Sequence, residues 1–410
     1  MNAAFTTALL ALALEAPGAA RAQEWPQFLG PNRNGSTAES PWPGPPPSRA
    51  GFTMLWKREA GAGFSAPVLS RNRLILFHRA GDREIVECLD AATGRKLWSQ
   101  DYPTGYRDDF GFDEGPRATP AIDGERVYTF GAEGMLSALD FATGRKLWSI
   151  DTHRRFAVPK GFFGAACSPL VEGGRVVVNV GGPRDAGLAA FEAASGRVAW
   201  TATGDEASYS SPVAVTLGGV RVVLCVTRAG LVGVNPADGS VRFRFPWRSR
   251  SHASVNAAAP VVAGNLVFLS ASYGTGAVLL EASPDGVKSL WSSDESLSNH
   301  YATSVHRDGS LFGFHGRQES GQSLRAIQMR TGKVLWNVDS FGAGTLTLAG
   351  PYLLVVRENG ELVVAEASPA GFRPLRRGPL LGGTVRAYPA VAGSRIWIRN
   401  ENTVACFRLD

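Results

Sequence analysis

The stretch Leu89-Asp90-Ala91-Ala92-Thr93-Gly94-Arg95-Lys96-Leu97-Trp98 returns almost letter for letter as Leu139-Asp140-Phe141-Ala142-Thr143-Gly144-Arg145-Lys146-Leu147-Trp148. Weaker copies stand at 191–200, 234–245, 280–291, 327–336 and 364–375, and the chain ends where a further copy would begin. The closing anchors are Trp56, Trp98, Trp148, Trp200, Phe245, Trp291, Trp336 and Leu375. They fall about 40–50 residues apart, the period of an array of small sheets. Each interval holds four short apolar or alternating runs separated by Gly, Pro, Asn or Asp; in the second these are 119–122, 126–130, 136–140 and 146–150. Four strands per unit at this period predict an all-β fold, an eight-bladed β-propeller with four-stranded antiparallel blades.

Within each copy the residues have structural work. The Asp carboxylate accepts hydrogen bonds from the turn's amides, and the Gly supplies the positive φ of a tight hairpin. The Trp offers a large flat area to pack between neighbouring blades. The run 53–57 lacks three strands before it, and the C-terminal run 385–409 lacks a fourth after it. Pairing the N- and C-terminal strands closes the ring and removes two open sheet edges.

The organisation follows. Residues 1–22 read as a signal peptide, with an apolar core at 8–14 and Ala20-Arg21-Ala22 as a cleavage site. Residues 23–52 form an N-terminal extension and a stiff Pro-rich linker, and 53–410 the propeller. Trp25-Pro26-Gln27-Phe28-Leu29-Gly30-Pro31 is apolar enough to pack on the propeller surface or cover one mouth. The chain is expected to be periplasmic or secreted, monomeric, and without a membrane span, because the apolar run is too short. The net charge of +6 is scattered, with no basic stripe carrying interleaved aromatics, so nucleic acid is not an expected partner. Cys88 and Cys406 hold equivalent small-residue positions in neighbouring blades. They read as buried small residues, with a disulfide as the alternative in an oxidising compartment.

Blade-joining loops and second-to-third-strand loops share one face, and the Thr-Gly hairpins point to the other. The first face is the chemically rich one. Arg117, Tyr209 and Tyr301 precede an inner-strand start by a fixed few residues, as Phe64 does, and Arg386 lies in the same neighbourhood. His252, Asn256 and His300 stand in adjoining loops, and His315, Arg317 and Glu319 follow the second strand of the sixth blade. Arginine forks and aromatic rings converging on a channel mouth suit a planar anion or a carboxylated ligand. His252, His300 and His315 have no metal-ligand spacing, and the acidic run 108–114 lacks the alternation of a calcium loop, so no metal is expected from either. There is no Gly-x-Ser-x-Gly, no His-Glu-x-x-His and no phosphate-binding Gly loop.

The Leu-Asp-x-x-Thr-Gly-x-x-x-Trp pattern at 89–98 and 139–148 resembles the quinoprotein-type (PQQ-like) propeller repeat. That group includes the pyrroloquinoline-quinone alcohol dehydrogenases and the propeller lipoprotein of the outer-membrane barrel-assembly machinery. The resemblance implies the fold over residues 56–410. It also opens two functions. One is a non-catalytic binding or scaffold module that takes a protein partner or a small polar or anionic ligand on its loop-rich face. The other is an oxidoreductase with pyrroloquinoline quinone and Ca2+ over the channel mouth. The chain has no adjacent cysteine pair, as those dehydrogenases have, so no site residue is carried over. A third class, hydrolysis or elimination with His300 or His315 as base, rests on residue type alone.

Overall fold

Alternating apolar runs bounded by turn residues can bury one face only by stacking, and stacking on both sides without end gives a ring. The computed structural model describes residues 24–47, 51–161, 163–248 and 256–409. Among these, the strands form eight sheets arranged as an eight-bladed propeller. Blade 1 runs outward as Val68–Ser70, Arg73–Ala80, Arg83–Asp90 and Lys96–Pro103. Blades 2 to 6 repeat this over 121–151, 170–202, 213–246, 261–293 and 305–338, and blade 7 spans 344–379. Blade 8 has Ala390–Ala392, Arg395–Arg399 and Thr403–Arg408, and takes Thr53–Glu59 as its outer strand. Thr53 pairs with Arg408 and Trp56 with Cys406, so the expected closure is present.

The anchors link each blade to the next. The indole Nε1 of Trp98 donates to the Phe141 carbonyl at 3.1 Å, that of Trp148 to Ala193 at 3.0 Å, and that of Trp200 to Pro236 at 3.0 Å. Each ring also lies on the turn glycine of the following blade. A Cβ on Gly144 would come within 2.4 Å of Trp98. Asp140 Oδ1 accepts from the Thr143 amide at 2.8 Å, closing the hairpin as expected.

Two anchors differ from the expectation. A β-bulge shifts register near the start of the outer strand in all eight blades: in blade 4, Val241 pairs with Val234 and Phe243 with Gly233. Phe243, not Phe245, therefore holds the anchor position. In blade 7, Pro374 pairs with Ala365 and Arg376 with Val364, so Arg376 stands there rather than Leu375. Arg376 reproduces the indole's hydrogen bond to the next blade and adds a ring contact of its own. It donates to the Leu409 carbonyl at 2.9 Å and lies 4.3 Å over the Phe52 ring.

The four cysteines are buried and free. Cys88 faces Trp98 and Cys406 faces Trp56 across their strand pairs, the small-residue position beside the anchor.

The N-terminal segment crosses the channel. Trp25 bridges Leu69 of blade 1, and Pro26 accepts from the Ile122 amide of blade 2 at 2.7 Å. Arg33 reaches carbonyls that precede the inner strands of blades 3 and 4. Ser36–Thr37 then runs parallel to the inner strand of blade 7. Trp25 and Leu29 are each 1% exposed, so the segment is as buried as the blade cores. Within the stretch read as a linker, Trp42 is buried edge-on to Tyr352, and its Nε1 donates to the Leu409 carbonyl.

Candidate functional site

The entry to each inner strand sets the geometry of one channel mouth. Three residues before the strand's proline stand Phe64, Arg117, Ala166, Tyr209 and Arg386; one before it stand Ala66, Thr119, Ser168, Ser211 and Tyr388. Extended backbone alternates sides, so both positions face the channel and the residue between them faces the blade. The result is two stacked rings of side chains.

Hydroxyls of the lower ring hold neighbouring blades in register. Thr119 Oγ1 accepts from the Ala66 amide at 3.1 Å, Ser168 Oγ from Thr119 at 2.9 Å, and Ser211 Oγ from Ser168 at 2.9 Å. Across the channel Thr303 Oγ1 accepts from Ala259 at 3.0 Å, and the Tyr388 hydroxyl accepts from Thr303 at 2.6 Å.

These rings enclose a pocket of about 540 Å³. One wall is Phe64, Phe163 and Tyr209, with Phe112 at the rim. The opposite wall is Tyr301, Gln318, Glu358 and Arg386. Phe28, from the crossing segment, lies at the base edge-on to Tyr388, with ring centroids 5.4 Å apart. Arg117 sits 5.6 Å from the Phe64 centroid and 5.4 Å from that of Phe163. Arg386 approaches Phe64 at 5.4 Å and Phe112 at 5.8 Å. Two guanidiniums thus share the Phe64 ring, an arrangement that favours cation–π contact.

The charges are engaged with one another. Arg386 Nε donates to Glu358 Oε1 at 2.7 Å; Gln318 and the Tyr301 hydroxyl donate to the same oxygen, the latter at 3.2 Å. Arg117 faces Asp108 at 3.5 Å and donates to the Asp113 and Phe163 carbonyls. The acidic run is occupied by its own loop: Asp108 accepts from the amides of Phe110, Phe112 and Asp113, and Asp113 from those of Gly63 and Gly115.

Burial, and then the adjacent Glu358 charge, pushes the Tyr301 phenol well above its ordinary range. Burial pushes Tyr209 and Tyr388 each up to about 12. All three therefore remain neutral hydrogen-bonding groups near neutral pH. Burial, helped by Arg325, lowers the His315 pKa, and its Nδ1 already accepts from the Ser298 amide at 3.1 Å.

Of the residues singled out from sequence, the pocket gathers Arg117, Tyr209, His300, Tyr301, Glu319 and Arg386. His300 stands edge-on to Tyr273, with centroids 5.3 Å apart. Arg317 is exposed at the rim, 5.0 Å over the Tyr273 ring. Two others serve the scaffold. Asn256 is buried and donates to the Thr227 and Trp247 carbonyls. His315 is tied to Ser298, outside the lining. His252 lies outside the described residues. Phe28, Phe112, Glu358 and the lower ring complete the pocket and were not among those singled out. Glu358 follows the second strand of blade 7, a loop of the type that yielded Glu319. The lower ring is the upper one shifted by two residues.

Among the described residues no three His, Cys, Asp or Glu side chains are grouped to hold a metal ion. None of their helices is long and apolar enough to cross a membrane.

Comparison with known proteins agrees with this architecture. BamB from Moraxella catarrhalis superposes with a TM-score of 0.62 at 16% identity, covering 88% of this chain and 98% of that one. Quinohemoprotein alcohol dehydrogenase from Comamonas testosteroni gives 0.68 at 14% identity, over 94% and 80%. A europium-containing methanol dehydrogenase gives 0.66 at 10% identity, over 94% and 98%. No curated protein matches the sequence. The model of the family described as outer membrane protein assembly factor BamB matches residues 53–150, 81–317 and 320–407. With every blade inside those matches, the chain belongs to that family.

Proposed function

We propose that the chain is an exported, non-catalytic binding module that engages a partner protein through its loop-rich face, with the mouth pocket as the anchor point. The observation that carries this is the pairing of a part-apolar pocket with exposed aromatic rings on its rim. Phe110 is 49% exposed and Phe112 60%, and the two rings stack at 6.3 Å beside Phe163. Exposed aromatics grouped at a concave site are a mark of recognition surfaces. The ionisable groups of the pocket support binding over proton transfer: Glu358 and Arg386 neutralise each other, and the tyrosines are held neutral. The description of the family, an assembly factor, favours a protein as the partner.

A quinone cofactor at this mouth would be held by the same residues. The aromatic walls and two arginines suit a flat carboxylated ring. A calcium ion beside it needs six to eight oxygen ligands. Among the described residues the pocket lining holds one carboxylate fixed by hydrogen bonds, Glu358, which has one oxygen committed to three donors, and no acidic cluster supplements it. The residues do not fit a calcium-held quinone, and no reaction step is derived through one.

The test is photo-cross-linking in an envelope extract. A benzophenone amino acid at Phe112 should give discrete protein adducts, and one at Ala142, on the hairpin face, should not. Adducts from Ala142 alone would move the docking face to the opposite rim.

A further inference from the structure

The N-terminal segment does more than fill the channel. Phe28 forms part of the pocket's base, and Arg33, 3% exposed, lies beneath it. The Arg33 guanidinium donates to the carbonyls of Ser168 at 2.6 Å, Pro169 at 3.0 Å and Pro212 at 2.6 Å, and to Gln27 Oε1 at 3.2 Å. All four acceptors are neutral. Ser168 and Ser211, which carry or adjoin two of these carbonyls, line the pocket.

The arginines that line the pocket are matched, and Arg317 stands outside the lining, exposed at the rim. Arg386 pairs with Glu358 and Arg117 with Asp108, while Glu319 is exposed to water at the rim. Arg33 has no carboxylate partner among the described residues. Burial lowers its pKa to about 10, which still leaves it charged at neutral pH. A buried charge solvated only by dipoles projects its field through low-dielectric surroundings much farther than a surface charge does.

We infer that the N-terminal segment is a component of the binding site, with Phe28 as a contact surface and Arg33 selecting a group that carries a negative charge on a flat apolar body. This rests on the pocket being the anchor point. It adds that the anchoring group of the partner is anionic, and that the selecting charge comes from outside the blades.

Three probes with one aromatic body separate charge from shape: 2-naphthoate, 2-naphthylmethanol and 2-naphthylmethylammonium, titrated calorimetrically into the full-length protein. The anion should bind about tenfold or more tighter than the alcohol, and the ammonium weakest, as expected for one charge held in low-dielectric surroundings. Arg33→Met should erase the preference for the anion, and Arg33→Lys should retain most of it. Circular dichroism and the melting temperature report whether each variant is folded. Phe28→Ala should weaken all three probes by a similar factor. If Arg33→Met does not fold, the comparison of the three probes on the wild-type protein and on Arg33→Lys still decides. Equal binding of anion and alcohol to the wild type, or no binding of any probe, overturns the inference. Cross-links from Phe112 that persist in that case would leave the docking reading standing, whereas anion-selective binding without such cross-links would remove the docking reading alone.

Discussion

At the scale of single residues, the mouth is organised by which side chains hold protons. Tyr301 donates to Glu358 and is pushed far above the ordinary tyrosine value of 10.0 by burial and by that charge. A titration at 295 nm should therefore show the same absorbance step near pH 10 in wild type and in Tyr301→Phe; a smaller step in the variant would mean that Tyr301 ionises normally. Losing this hydroxyl removes one hydrogen bond and should cost about 1 kcal/mol in urea unfolding. The upper ring was legible because Phe64, Arg117, Tyr209 and Arg386 precede a proline at constant distance. The lower ring was not singled out, although the same rule marks it, since residues two apart in extended chain share a side. Glu358 was overlooked because nothing in its neighbours marks it, although its loop has the right place in the repeat. Asn256 and His315 carry polar atoms that suit a ligand equally well. Only the carbonyls of Thr227 and Trp247, and the amide of Ser298, reveal that the scaffold already uses them.

At the scale of the blade, one element recurs: hairpin, bulge and anchor ring. Gly94 has a φ of 73°, and a Cβ there would lie 2.7 Å from the Trp56 ring. Gly94→Ala combines backbone strain with a clash across a blade interface, and should lower stability by about 2–3 kcal/mol. Gly124→Ala has a similar positive φ but open space around it, so it should cost about 1 kcal/mol. Equal losses for the two, measured by urea midpoints, would mean that the ring contact contributes nothing. The repeat exposed this element fully where Trp survives. Where it does not, the bulge hides the register: counting from the turn lands on Phe245 and Leu375, while the pairing puts Phe243 and Arg376 in the anchor position.

At the scale of the whole molecule, a ring built by one chain has one seam that no covalent connection crosses. Here Thr53–Glu59 pairs with the last strand, and both Trp56 and Trp397 donate to the Ala91 carbonyl, at 3.0 and 2.9 Å. The Trp98 and Trp200 interfaces use one indole, and at the Trp148 interface the Tyr128 hydroxyl joins the indole on the Ala193 carbonyl, at 3.2 Å. Arg399 adds bonds from blade 8 to the Phe77 and Gly61 carbonyls. Trp56→Ala should therefore destabilise the fold more than Trp148→Ala, by about 1 kcal/mol or more, because it also loosens closure. Identical unfolding midpoints would mean that the seam behaves like any other interface. The closure was legible from the incomplete first and last repeats. The crossing of the channel was not, because the contacts of Arg33 join residues far apart in the chain, beyond the reach of any local pattern.

Engagement through the mouth pocket can be tested by blocking it. The four native cysteines are buried, so an introduced surface thiol is labelled selectively. Ala257 lines the pocket and Ala142 lies on the opposite face. The protein cross-linked by the Phe112 probe should be captured by Ala142→Cys labelled with pyrenyl maleimide, and lost from Ala257→Cys carrying the same label. Undiminished capture by the labelled Ala257→Cys protein would contradict binding at the pocket.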